Sequence, residues 1–137
     1  MSEPWERRHR RYRLVDDVLD DATRIGVQAV CRHHDAIAAE YGTEGLGGFL
    51  TDVQRRWHRA FEARLDVVLE SGDGDPAGAV GALWRTLART LPGTRLVLDA
   101  YADHPALAGA EARHRAMLRA ATGVDLPASR HPEPKIA

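Results

Sequence analysis

Between Leu14 and Tyr41 the inward-type side chains return every three or four residues: Leu14, Val15, Val18, Leu19, Ala22, Ile25, Ala29, Val30, His33 and Ile37. At about 100° per residue these positions form one broad stripe on a helix. A strand would alternate at every second residue, and no such pattern occurs here or elsewhere in the sequence. Asp16, Asp20, Arg24, Gln28, Cys31 and Asp35 fall on the opposite side, with Asp17 and Asp21 at the edge of the stripe. Gly26 is the weak position, costing about 1 kcal/mol against alanine inside a helix. The segment therefore reads as one long amphipathic helix or as two helices bent near Gly26.

The rest of the chain carries the same period between glycine and proline breaks. Gly42 to Leu50 holds four glycines and reads as an interhelix turn, because glycine keeps a helix only at an entropic cost. Thr51 followed by Gln54 fits a capping box that opens the next helix, which runs to Glu70 with Val53, Trp57, Ala60, Phe61, Leu65 and Val68 on one face. Ser71 to Asp75 is a turn, and Asp75-Pro76 pairs a cap with a first helical residue. The helix that follows presents Val80, Leu83, Trp84, Leu87 and Leu91, and Pro92-Gly93 ends it. A short helix from Thr94 to about Ala102 presents Leu96, Val97, Leu98 and Tyr101. His104-Pro105 opens the last helix, with Leu107, Ala110, His114, Met117, Leu118 and Ala121 on one side and Gly123 as its stop. The expected fold is all-α: a single-domain bundle of five or six helices with a long N-terminal helix. Residues 1–13 form a basic arm, 14–126 the bundle, and 127–137 a disordered tail.

A chain of 137 residues with 44% apolar residues is one domain long enough to bury a core. Its net charge of −1 gives no global field toward nucleic acid or membrane. One cysteine rules out an internal disulfide and fits a reducing, cytoplasmic setting. No apolar run approaches the ~20 residues of a membrane span.

Two local charge clusters stand out. Arg7, Arg8, Arg10, Arg11 and Arg13 alternate with Trp5, His9 and Tyr12, residue types that suit phosphate contact and base stacking. The same arginines could instead pair with Asp16, Asp17 and Asp20 one turn on. Asp16, Asp17, Asp20 and Asp21 place carboxylates one helical turn apart, a spacing that can hold Mg²⁺ bridged to a diphosphate. The stretch DDVLDDATRIG resembles the first aspartate-rich motif of isoprenyl diphosphate synthases, which implies a Mg²⁺-dependent diphosphate enzyme. The alternative is a solvated acidic face. Among the seven histidines, Cys31 and His34 are spaced to share a ligand, while His33 and His114 lie on apolar stripes as core histidines would. No cofactor is expected.

A longer stretch resembles the TetR-family regulators. RRYRLVDDVLDDATRIGVQAV matches a basic arm with a first helix that ends in a Gly-Val-x-Ala-Val-like run. Ala36-Ile37-Ala38-Ala39-Glu40-Tyr41-Gly42 stands for the start of that family's helix-turn-helix, and the helices after Asp75 look like its ligand domain. Gly47-Gly48-Phe49 occupies the place of the family's Tyr-x-His-Phe turn. The resemblance implies a DNA-binding regulator with a ligand-holding helical domain.

With no complete catalytic set, the chain reads first as a non-enzymatic helical module that binds a partner protein or a small apolar ligand. Trp57, Phe61, Trp84, Tyr101, His33 and His114 are its candidate contacts, and an apolar helix face could form a homodimer. The second reading is a DNA-binding regulator using Arg7, Arg8, Arg10 and Arg11; the third is the diphosphate enzyme using the four aspartates.

Overall fold

The computed structural model describes residues 2–71 and 74–124, and among them there is no strand. The protein is an all-α single domain in the order α1 (Glu3–Ile25), α2 (Gln28–Arg32), α3 (His34–Tyr41), α4 (Gly45–Ser71), α5 (Pro76–Thr90), α6 (Pro92–Ala100) and α7 (Pro105–Thr122). If α2 and α3 count as one bent helix, this is the bundle of six that the sequence predicts, with its long N-terminal helix. No helix among the described residues is long and apolar enough to cross a membrane. The tail expected beyond residue 126 lies outside the described residues.

The breaks have local causes. Gly26 takes φ +86°, and its N–H still bonds to Ala22 O, so α1 stops with its last turn satisfied. The long run from Leu14 is therefore not one helix. It divides at Gly26 and again at His33, whose φ of −94° and ψ of 13° lie off the helical values. The basic segment forms the first turns of α1, with Pro4 near its start, where a missing N–H costs nothing.

The glycine-rich turn is shorter than its composition suggests. Only Gly42–Glu44 forms a single 3-10 turn, and α4 begins at Gly45. Gly47 and Gly48 lie inside α4, where close neighbours leave little room for a side chain. A Cβ on Gly48 would lie 2.9 Å from the Tyr41 ring, and one on Gly47 would lie 3.2 Å from Ala106. The expected capping box at Thr51 is accordingly absent. Thr51 sits inside α4 and its hydroxyl donates back to Gly47 O at 2.9 Å. Gln54 is buried instead and crosses to α7, donating to Leu107 O at 3.0 Å.

The later boundaries follow the sequence closely. The Asp75 carboxylate accepts from the Gly78 N–H at 3.0 Å. His104 Nδ1 accepts from the Ala106 N–H at 3.1 Å, and Gly123 ends α7 at φ +75°. Pro92 starts α6 rather than ending α5, which turns the helix. Leu96, expected inward, is exposed, and Arg95 points into the core in its place.

α4 is the centre of the bundle and packs against α3, α5, α6 and α7. Phe49, Leu50, Val53, Trp57, Phe61 and Leu65 line its buried face. α1 closes one side by lying on α6, with Val15, Val18, Leu19 and Ala22 inward.

Candidate functional site: an arginine groove between α1 and α4

The first turns of α1 run beside the middle of α4 and leave a groove of about 410 Å³. Arg7, Arg8 and Arg11 line it from α1, and Arg55, Arg56 and Arg59 from α4. Tyr12, Val15 and Asp52 share its walls. Two basic clusters far apart in sequence thus face one another.

The six arginines do different work. Arg56 fixes the two helices together: it donates to Asp16 Oδ1 at 2.6 Å and to the Tyr12 carbonyl at 2.7 Å, with its guanidinium 4.2 Å above the Tyr12 ring. Arg11 leans the other way, donating to Glu40 O at 3.3 Å and stacking 4.4 Å over the Tyr41 ring. Arg55 lies 3.4 Å from Asp52. Arg7, Arg8 and Arg59 make no ion pair or hydrogen bond among the described residues and are exposed. Positive charge in the groove is therefore left uncompensated, although the chain as a whole is nearly neutral. Arg10, grouped with these arginines in the sequence, points elsewhere and bonds Glu40 at 2.8 Å.

Exposed aromatic rings continue the same face of α1. Tyr12 is 59% and Trp5 46% exposed, and Trp5 stacks on His9 with ring centres 5.2 Å apart. Below the groove, Tyr41 is buried and donates its hydroxyl to Asp52 at 2.7 Å. Burial first, then that carboxylate, push the phenol well above its usual range, so it stays a donor.

The aspartate run is divided among several partners. Asp16 serves Arg56, and Asp21 accepts from Arg24 and lies 2.6 Å from His33 Nε2. The His33 bond first, and Arg24 second, hold the Asp21 carboxyl below the usual carboxylate range. Asp17 and Asp20 are exposed. No group of three or more His, Cys, Asp or Glu that could hold a metal ion occurs among the described residues.

The other candidate contacts are scattered. Trp57 and Phe61 are fully buried in α4, and His114 is buried in α7. Trp84 is half-buried, with its ring centre 5.8 Å from that of Trp57. His33 is half-buried at the α2–α3 junction, engaged with Asp21. Tyr101 lines a separate apolar cleft of about 250 Å³ with Val30, Cys31, His34, Ile37 and Leu46. These six residues do not share a cavity.

Two interior arrangements were not legible in the sequence. Arg95 is 4% exposed, pairs with Asp99 at 2.9 Å and lies 4.5 and 5.1 Å over the Trp57 and Trp84 rings. Burial lowers its pKa from the usual arginine range, against the pull of Asp99. His58 and His114 stack at 4.2 Å between α4 and α7, with Glu111 3.7 Å from His58 Nε2. Only a prediction of inter-helix contacts could have paired these residues.

The fold defines an all-α helical bundle, and the groove defines a strongly cationic recess on it. Comparison with protein-family models, curated proteins and solved structures found no match.

Proposed function

We propose that this chain is a non-enzymatic module that binds nucleic acid through the arginine groove. The reading is carried by one observation: arginines from two distant helices line one recess, and Arg7, Arg8 and Arg59 there lack acidic partners. Exposed guanidiniums with no acidic partner are free to receive an anion, and phosphate accepts their fork geometry well. A regulatory role, which the TetR-like run implies, belongs to the same proposal, as does a cytoplasmic location.

The test is retention of a labelled oligonucleotide as salt is raised. If three arginines each neutralise one phosphate of a single strand, log K falls with log salt at a slope of about −2. Arg7→Ser, Arg8→Ser and Arg59→Ser together should flatten that slope and leave the melting temperature unchanged. No retention by the unaltered protein at low salt would overturn the proposal.

A second reading rests on the apolar cleft around Ile37, Leu46 and Tyr101, whose size suits a small apolar ligand. Saturable binding of such a ligand, lost in Leu46→Trp, would favour it. A homodimer or protein partner would use exposed apolar residues such as Val67 and Leu96, and sedimentation across concentration tests for the dimer.

A further inference from the structure

We infer that the groove takes single-stranded nucleic acid, with Tyr12 and Trp5 as its stacking platforms. The inference rests on the nucleic-acid reading above and adds to it the strandedness and the means of holding bases.

Shape is the first argument. Duplex DNA is read by elements that protrude into a major groove about 12 Å wide, or by contacts spread over its outer surface. Here the arginines line a recess of about 410 Å³ between two helices. A stiff duplex cannot bend into such a recess, but a flexible strand can lay its phosphates there. Cationic grooves flanked by exposed aromatics are the general means of holding single strands.

The aromatics supply the second argument. Tyr12 is 59% exposed although it lines the groove, and one of its faces is covered by the Arg56 guanidinium at 4.2 Å. That cation fixes the ring in place and leaves the other face for a base. Trp5 also has a ring stacked beside it, that of His9, 5.2 Å away and 9° from parallel. Trp5, Arg8, His9 and Tyr12 recur at steps of three and four, so they share one face of α1. Seven residues of helix separate the two platforms by about 10 Å, a span that an extended strand can bridge. A base paired within a duplex has no free face to offer either ring.

Charge completes the argument. Arg7 and Arg8 lie between the platforms in sequence, and Arg59 faces them from α4. Phosphates between stacked bases would meet these side chains, which have no competing partner among the described residues.

Fluorescence anisotropy of a labelled oligothymidylate, against a duplex of equal length, tests the inference on the full chain. The single strand should bind at least tenfold more tightly. Tyr12→Leu and Trp5→Leu should each weaken it about tenfold, whereas Tyr12→Phe should bind as the parent does. Weak duplex binding should not change in any of the three. Trp5 lies near the exposed start of α1, so its variant remains informative if Tyr12→Leu fails to fold. Equal or tighter binding of the duplex, or unchanged single-strand affinity in both leucine variants, would overturn the inference while leaving nucleic-acid binding intact. Binding to neither oligonucleotide at low salt would overturn both readings.

Discussion

At the scale of single residues, the three tryptophans make a graded series. Trp57 is fully enclosed between Trp84 and the Arg95 guanidinium, Trp84 is half-buried, and Trp5 stands in solvent. Trp57→Ala should cost about 3–5 kcal/mol, which approaches the total stability of about 5–15 kcal/mol for a domain. Trp5→Ala should leave the melting temperature within error, and Trp84→Ala should fall between. Calorimetric melting of the three variants checks the order. His114 gives a pH dependence. Burial first, then the charge of the stacked His58, pull its pKa from 6.5 down to about 4, against a weaker pull from Glu111. The unfolded chain therefore takes up this proton near pH 6.5, and the folded chain only near pH 4. Stability from this group is complete above pH 6.5 and declines as pH falls toward 4, by at most about 3 kcal/mol, and by less once solvent screening is counted. Melting between pH 7.5 and 4.5 should fall more steeply for the parent than for His114→Gln. Equal slopes would show that the imidazole does not carry the effect.

At the scale of elements, packing turns on where backbones approach. Gly93 opens α6 against α1, and a Cβ there would lie 2.2 Å from the Leu19 carbonyl oxygen, a backbone atom that cannot yield without moving α1. Gly93→Ala should therefore destabilise by about 1–3 kcal/mol or more. Gly81, inside α5, meets only the flexible end of Arg85 at 3.5 Å, so Gly81→Ala should stabilise by about 0.5–1 kcal/mol. Two melting curves on opposite sides of the parent's would bear this out. The same comparison shows what the sequence can disclose. Stripes such as Val53, Trp57, Phe61 and Leu65 were legible because helical period is a local property. Gly47 and Gly48 misled because glycine composition argues for a turn, while here the small residue serves the close approach of Tyr41 and Ala106 to a helix. Leu96 misled because an apolar residue is read as inward-facing, yet it is exposed, and tryptophan rings and Asp99 receive Arg95 inside in its place.

At the scale of the whole molecule, charge is separated rather than absent. α1 is basic at its start and acidic further on, so a net charge of −1 conceals a local field at the groove. The basic cluster was legible in the sequence, but its meeting with Arg55, Arg56 and Arg59 was not, because only tertiary packing brings α4 beside α1. The arginines also separate into two groups by task. Arg10 and Arg11 tie α1 to α3 through Glu40, so replacing both with serine should lower stability by roughly 0.5–1 kcal/mol. The triple serine variant at Arg7, Arg8 and Arg59 should leave stability alone and remove binding. Melting and anisotropy measured on the same two preparations would separate the groups, and a loss of stability in the triple variant would show that those side chains are structural.

The bed on which α1 lies is made late. Leu19 rests on Gly93, so the part of the first helix that lies on α6 stays uncovered until α6 has been synthesised. At about 5–20 residues per second, that interval lasts roughly 4–15 s for each nascent chain. Throughout it Leu19 is open to any other apolar surface nearby. A substitution that weakens the α1–α6 seam would therefore act first on yield, through aggregates formed during translation, before its effect on the melting point of the finished protein.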